Sequence, residues 1–219
     1  DDGSTDNTLY LLEKYKHKFY EINVNYLIFK NKHKGPGHAR NTGIINSRGN
    51  WISFLDSDDT WSDMKLLKVK EKILSNSNIN FILHWEMLLG NGFSNMLKHG
   101  ENFNNDANLG KQLFNNNFIS TSASTCLKHI LSDNLFDEKL KVSQDYELWL
   151  RISPLIKISI IKEVLGNYII RKGSITSKPY RIRLFYLIKI LIRHRDKSNI
   201  FNLILRLIRA FITKQWIKI

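Results

Sequence analysis

The chain reads as an α/β protein: a mostly parallel sheet with flanking helices, followed by C-terminal amphipathic helices. Three observations predict this. Short apolar and β-branched runs alternate with helical repeats through the first half of the sequence. One such run, residues 51–55, stops abruptly at Asp56-Ser57-Asp58-Asp59. Carboxylates at the C-terminal end of a buried strand stand where open α/β sheets place their ligands. Beyond residue 178 the pattern changes to Leu, Ile and Phe at helical spacing, interrupted by Arg and Lys.

The elements follow in order. Asp1-Asp2-Gly3-Ser4-Thr5-Asp6 is a turn leading into a helix to about Lys18, with Leu9, Leu11, Leu12 and Tyr15 on its apolar side. Residues 24–29 read as a strand and residues 31–37 as a loop rich in Lys and Gly. A helix over 38–47 ends at Gly49, where a glycine C-cap is favoured. Residues 51–55 form the next strand, 64–74 a helix and 79–84 a strand ending near His84. Residues 88–108, rich in Gly and Asn, suit a hairpin and loop. A helix over 109–116, a strand over 119–127 and a short helix over 145–152, stopped by Pro154, come next. Residues 156–161 and 164–170 are two further strands. Helical patterns at 180–194 and 198–214 complete the chain.

Composition narrows the function classes. At 219 residues and 42% hydrophobic content the chain can bury a substantial core. Its single cysteine, Cys126, excludes an internal disulfide framework and reads as a small buried apolar residue. No His/Cys set has zinc spacing, and no apolar run reaches a membrane span of about 20 residues. The net charge of +13 is uneven: residues 171–219 carry thirteen Lys and Arg against one acid, Asp196. A near-neutral body with a cationic, apolar tail argues against nucleic-acid binding over the whole surface and points to an anionic membrane interface. Packing of the two tail helices on the domain or on a partner chain is the alternative.

Asp56 and Asp58, one residue apart, can face one hard cation that prefers oxygen ligands shared with a diphosphate. The same residues also satisfy turn and N-cap chemistry. The residues around them decide between these readings. Asp1-Asp2-Gly3-Ser4-Thr5-Asp6, residues 35–43 (Gly-Pro-Gly-His-Ala-Arg-Asn-Thr-Gly), Phe54-Leu55-Asp56-Ser57-Asp58-Asp59 and Gln144-Asp145-Tyr146-Glu147-Leu148-Trp149 occur in one order. This set resembles the family 2 glycosyltransferases of GT-A, Rossmann-like fold, over residues 1–177, with residues 178–219 as a basic tail.

The resemblance implies a role for each motif. Asp1 or Asp2 binds the nucleotide base, and Arg40 serves the donor nucleotide or diphosphate near a helix N-terminus. Asp58 holds a divalent metal, Mg²⁺ or Mn²⁺, and Asp56 contacts the ribose or a metal-bound water. Asp145 is the catalytic base that deprotonates the acceptor hydroxyl in an inverting transfer. Asp59 reads as a helix cap. Tyr146, Leu148, Trp149 and Leu150 read as packing residues, with Trp149 a possible wall of the acceptor pocket.

Three departures from the family pattern matter. Gln144 stands where many relatives have Glu. Tyr168-Ile-Ile-Arg171 stands where relatives often carry Tyr-Arg-x-His, with Ile169 in place of Arg and Arg171 in place of His, which leaves Arg171 to act directly on phosphate. Relatives have a strand, helix and strand before the Asp1-Asp2 turn, so the expectation is a truncated sheet that binds donor poorly. The implied activity is metal-dependent sugar transfer from a nucleotide-diphosphate donor, UDP-linked, to a saccharide or lipid-linked acceptor in surface polysaccharide synthesis. The implied place is cytoplasmic, peripheral on the inner face of the cell membrane, with no nucleic-acid partner. An inactive truncated module, or a nucleic-acid-binding protein acting through the tail, are the competing readings.

Overall fold

The structure is a computed structural model, described here for residues 1–90, 92–171 and 179–213. Six strands form one sheet in the order β1-β5-β3-β6-β2, with β4 pairing to the outer half of β3. They are β1 (Trp51–Ser53), β2 (Thr60–Trp61), β3 (Phe81–Gly90), β4 (Phe93–Leu97), β5 (Ser124–Leu127) and β6 (Ile158–Ile169). The helices are α1 (Thr8–Glu21), α2 (Pro36–Asn46), α3 (Lys65–Ser75), α4 (Leu109–Asn115), α5 (Lys128–Ser132), α6 (Gln144–Ile152), α7 (Tyr180–Arg193) and α8 (Ile200–Thr213).

The α/β layering is as the sequence implies, but the strand directions differ from expectation. Among the described residues only β3 and β6 run parallel, from Phe81↔Ile158 to Leu89↔Ile169. The β1·β5, β3·β5, β3·β4 and β2·β6 pairs are antiparallel. The cause lies in the insertion of β5. It enters between β1 and β3 against both, in the position a parallel neighbour would take. Antiparallel strands also need only short links, as in the β3–β4 hairpin, which residues 88–108 foreshadow.

The expected strand over 24–29 does not join this sheet. Its end instead meets Asp1: the Asp1 nitrogen donates to the Phe29 carbonyl and the Asn31 N–H donates to the Asp1 carbonyl, both at 2.9 Å. Residues 156–161 and 164–170 merge into the single strand β6. The break in the sequence pattern survives as a bulge, where His84 pairs with Ile161 but Trp85 pairs with Val164. His84 consequently lies inside β3, fully buried, and not at a strand end.

Trp149 of α6 anchors the core. It is fully buried and meets the rings of Phe54, Phe81 and Phe136 edge-on at 5.3–6.3 Å. It is a packing residue and not a pocket wall. Leu187, Ile190 and Leu191 of α7 enter the same core, as does Ala210 of α8, whose carbonyl accepts the Tyr180 hydroxyl at 3.1 Å. The first tail helix thus contributes to the same core as residues 44–158. The end of the expected second tail helix, at residue 214, lies outside the described residues. In contrast, α1 buries none of its side chains, and Tyr10, Leu11 and Tyr15 are exposed.

Candidate active site

The turn after β1 carries the carboxylates. Asp59 N–H closes it onto the Asp56 carbonyl at 3.0 Å, and the Phe54 N–H ties the strand end to the Ser124 carbonyl at 3.3 Å. This sets the Asp56 and Asp58 side chains at the rim while Phe54 goes into the core.

Arg40 approaches from α2. Gly35, at φ +97°, turns the chain into the helix and Pro36 occupies its first position, where its fixed φ suits the start. The Arg40 guanidinium grips Asp56 through Nη2 at 2.6 and 2.7 Å and Nε at 3.1 Å, and lies 5.4 Å from the Phe136 ring centre. That ring is itself fixed by Asn41, whose amide both donates to the Phe136 carbonyl at 3.0 Å and accepts its N–H at 2.8 Å. Burial would favour loss of the Arg40 proton, but the charge and hydrogen bonds of Asp56 outweigh it, assisted by Asp145 and Asp58.

Asp145 is the second residue of α6. The N-cap is Ser143, in the left-handed region at φ +56°, so Asp145 is not the cap. One carboxylate oxygen receives the Thr121 hydroxyl at 3.4 Å. Burial pushes its carboxyl above the usual carboxylate range, with the Arg40 charge opposing and Asp56 reinforcing the rise. A carboxylate of raised basicity suits proton abstraction near neutral pH. The two helix starts approach closely. A Cβ on Gly37 would lie 2.9 Å from the Gln144 side chain, which donates to the Leu140 carbonyl at 2.5 Å.

One guanidinium therefore stands among three carboxylates, Asp56, Asp58 and Asp145. The local excess is two negative charges, unfavourable for an anionic diphosphate and favourable for a divalent cation. Among the described residues no group of three or more His, Cys, Asp or Glu could cage a metal by itself. Asp56 is taken up by Arg40, whereas Asp58 makes none of the hydrogen bonds or ion pairs found among the described residues. This donor set fits Mg²⁺ or Mn²⁺ held by one carboxylate, water and substrate phosphate, and does not fit an all-protein site.

The remaining candidates lie elsewhere. Asp1 accepts the N–H groups of Gly3 and Ser4 at 3.0 Å and the Ser4 hydroxyl, so it holds its own turn. Asp2 accepts the N–H groups of Lys34 at 3.0 Å and Gly35 at 2.7 Å, pinning that turn to the start of α2. Arg171 is exposed just beyond β6 and makes no described contact with Asp56, Asp58 or Asp145; the rest of its motif, from residue 172, lies outside the described residues.

Asp59 is not a helix cap. Its buried carboxylate accepts the Ser122 hydroxyl at 2.5 Å and the Ile169 N–H at 3.0 Å, and burial pushes it up to about 6 against those two bonds. Thr121 and Ser122 escaped the sequence reading, and Asn41 entered it only as part of the 35–43 motif, with no role. Thr121 and Ser122 lie in a run of Ser and Thr at 120–125 that singles out neither of them, and the signal for Asn41 is its place beside Arg40.

Residues 1–135 match the model of glycosyl transferase family 2. Over 191 residues the chain is 29% identical to UDP-Glc:alpha-D-GlcNAc-diphosphoundecaprenol beta-1,3-glucosyltransferase WfgD of Escherichia coli, covering 83% of this chain and 68% of that protein. The amylovoran biosynthesis glycosyltransferase AmsB of Erwinia amylovora is 28% identical, with 80% of this chain and 60% of that protein covered. Among solved structures, S. aureus TarS 1-349 in complex with UDP-GlcNAc aligns at TM-score 0.69 and 20% identity, over 90% of this chain and 58% of that one. The mannosyltransferase PcManGT of Pyrobaculum calidifontis, in complex with GDP-Man and Mn2+, aligns at TM-score 0.63 and 13% identity, over 91% of this chain and 54% of that one. The chain thus spans roughly half to two thirds of the length of these proteins. The match over more than half of the sequence, with the sheet and site just described, places the chain in glycosyl transferase family 2, with the GT-A fold.

Proposed function

We propose that the protein transfers a sugar from a UDP-linked donor to a saccharide or lipid-linked acceptor, with inversion and with a divalent metal, in surface polysaccharide synthesis. The observation that carries this reading is the gathering of Arg40, Asp56, Asp58 and Asp145 at one rim of the sheet. Arg40 holds Asp56 in place through Nε and Nη2, and Nη1, which makes no bond to Asp56, is its donor for the phosphates once a cation has offset the carboxylates. Asp58 is the free carboxylate for a metal. When bound, that cation supplies charge neutralisation for the departing nucleotide diphosphate. Asp145 takes the acceptor proton as the hydroxyl attacks the anomeric carbon from the face opposite the leaving group. The Asp1-Asp2 turn, fixed to the Lys34–Gly35 backbone, is the proposed wall for the base, and Arg171 a further phosphate ligand.

The donor and acceptor classes rest on the Escherichia coli relative, named for UDP-Glc and a diphosphoundecaprenol acceptor. Two features of the surface fit a lipid-linked substrate. Phe185, Ile200, Phe201, Ile204, Leu205 and Ile208 are exposed on α7 and α8. Exposed Arg181, Lys189 and Arg195 flank them. No helix among the described residues is long and apolar enough to cross a membrane. The proposed placement is accordingly peripheral, on the anionic inner face of the cell membrane. A transfer screen with UDP-glucose, UDP-GlcNAc and UDP-galactose, Mn²⁺ and a GlcNAc-diphospholipid acceptor tests the reading. Product from one donor supports it, and absence of both transfer and donor hydrolysis across the panel overturns it.

A further inference from the structure

The segment leading into β5 carries four buried hydroxyl residues, Ser120, Thr121, Ser122 and Ser124, none more than 5% exposed. Buried hydroxyls cost desolvation unless bonded, and an apolar strand start would avoid that cost. Their partners show where the polarity is used. The Ser122 Oγ accepts the Asp56 N–H at 3.0 Å and donates to Asp59 Oδ2 at 2.5 Å. The Ser122 carbonyl accepts the Trp61 indole N–H at 2.9 Å. Asp59 extends the link through Oδ1 to the Ile169 N–H at the end of β6. One residue earlier, the Thr121 hydroxyl donates to Asp145 Oδ2 at 3.4 Å. The Thr121 carbonyl is held by Ser124 through both its N–H at 3.0 Å and its hydroxyl at 2.7 Å, which stiffens the pair.

We propose that Thr121 and Ser122 are positioning residues that set the spacing between the Asp56–Asp58 turn and Asp145, with Asp59 as their anchor. Ser122 holds the turn through its backbone, leaving the Asp56 and Asp58 side chains free for Arg40 and the donor. Thr121 occupies one oxygen of Asp145 and leaves the other to receive the acceptor proton. Its long hydrogen bond shortens when the acceptor closes the site, as such bonds do on forming the reactive complex. The two adjacent residues thereby make donor placement and base orientation a single adjustment, and misplacement by about 1 Å costs about 100-fold in rate.

This inference rests on the glycosyltransferase reading, and the two roles separate kinetically. Thr121→Val keeps shape and removes the hydroxyl: kcat falls about tenfold with donor KM unchanged, and Thr121→Ser restores kcat to near wild type. Ser122→Ala frees the turn: the Kd for UDP with Mn²⁺ and the donor KM both rise about tenfold. The double variant loses less than the product of the two single losses, because both residues act on one spacing, and losses that simply multiply overturn the coupling. Wild-type turnover with Thr121→Val and Ser122→Ala indistinguishable from it overturns the inference and leaves the function standing. A hydroxyl-independent loss, equal in Thr121→Val and Thr121→Ser, also overturns it. A wild-type protein that neither binds UDP nor turns over any donor overturns the reading and the inference with it.

Discussion

Replacing Glu147 with Gln removes the charge that joins α6, the helix of Asp145, to the end of α7. Glu147 lies on α6, two residues after Asp145, and its side chain is 1% exposed. Arg151 approaches it at 3.2 Å, Arg193 at 3.2 Å and His194 at 3.3 Å. Burial would raise the Glu147 pKa, but hydrogen bonds from His194 and Arg151 and the nearby positive charges hold it down to about 2, from an ordinary 4.5. At 1.36 kcal/mol for each pH unit the difference amounts to about 3 kcal/mol favouring the folded state. Because the folded pKa is the lower one, that stability is fully present above pH 4.5 and is lost as the pH falls toward 2.

Glu147→Gln therefore lowers Tm at pH 7 by about 6–12 °C for a chain of this size. Calorimetry at pH 7 and at pH 3 measures it, with the gap between wild type and variant narrowing at the lower pH. Arg193→Ala, which also loses the 2.8 Å contact with Asp137, gives a smaller drop because Arg193 is 37% exposed. A Glu147→Gln drop at pH 7 of under about 2 °C shows that the Glu147 charge does not stabilise the fold to this extent.

Trp149→Ala empties the centre of the aromatic cluster and costs about 3–5 kcal/mol in urea unfolding, with the m-value unchanged. Gly37→Ala drives a methyl group into the Gln144 side chain, displaces the start of α6 and lowers kcat more than it lowers Tm, read from paired kinetic and melting measurements. Phe201→Asp together with Ile204→Asp puts charge on the exposed apolar face of α8 and abolishes sedimentation with anionic phosphatidylglycerol vesicles without lowering Tm. Persistent salt-sensitive binding to random duplex DNA, with no vesicle binding by the wild type, points to the nucleic-acid reading instead.

The motif residues are legible because carboxylates that end an apolar run, and a Gly-Pro start before an Arg-bearing helix, have local causes. Arg40 and Asp56 are 16 residues apart, and only the fold turns them into a bidentate pair. The directions of β5 and β2 are not legible, since a four-residue and a two-residue strand carry no period that distinguishes a parallel from an antiparallel neighbour. Glu147 and Arg151 look like a solvated i,i+4 pair in sequence, and it is the arrival of α7 that buries the carboxylate. The amphipathic pattern of α7 is clear in sequence. That Leu187, Ile190 and Leu191 face the protein core and not a bilayer depends on where the chain returns. Thr121 and Ser122 sit in a run of small residues that reads as an ordinary strand entry, so their contacts appear only in three dimensions.

A division of donor binding and proton abstraction between Asp58 and Asp145 is the core of the proposed function. Its most direct test measures UDP release and sugar transfer with Mn²⁺ for the wild type, Asp58→Ala and Asp145→Asn, alongside calorimetric binding of UDP with Mn²⁺. Asp145→Asn is expected to bind UDP as the wild type does and to lose about 10²- to 10⁴-fold in kcat. Asp58→Ala is expected to lose metal-dependent UDP binding itself. Undiminished turnover in both variants, or loss of UDP binding in Asp145→Asn with retention in Asp58→Ala, contradicts this division.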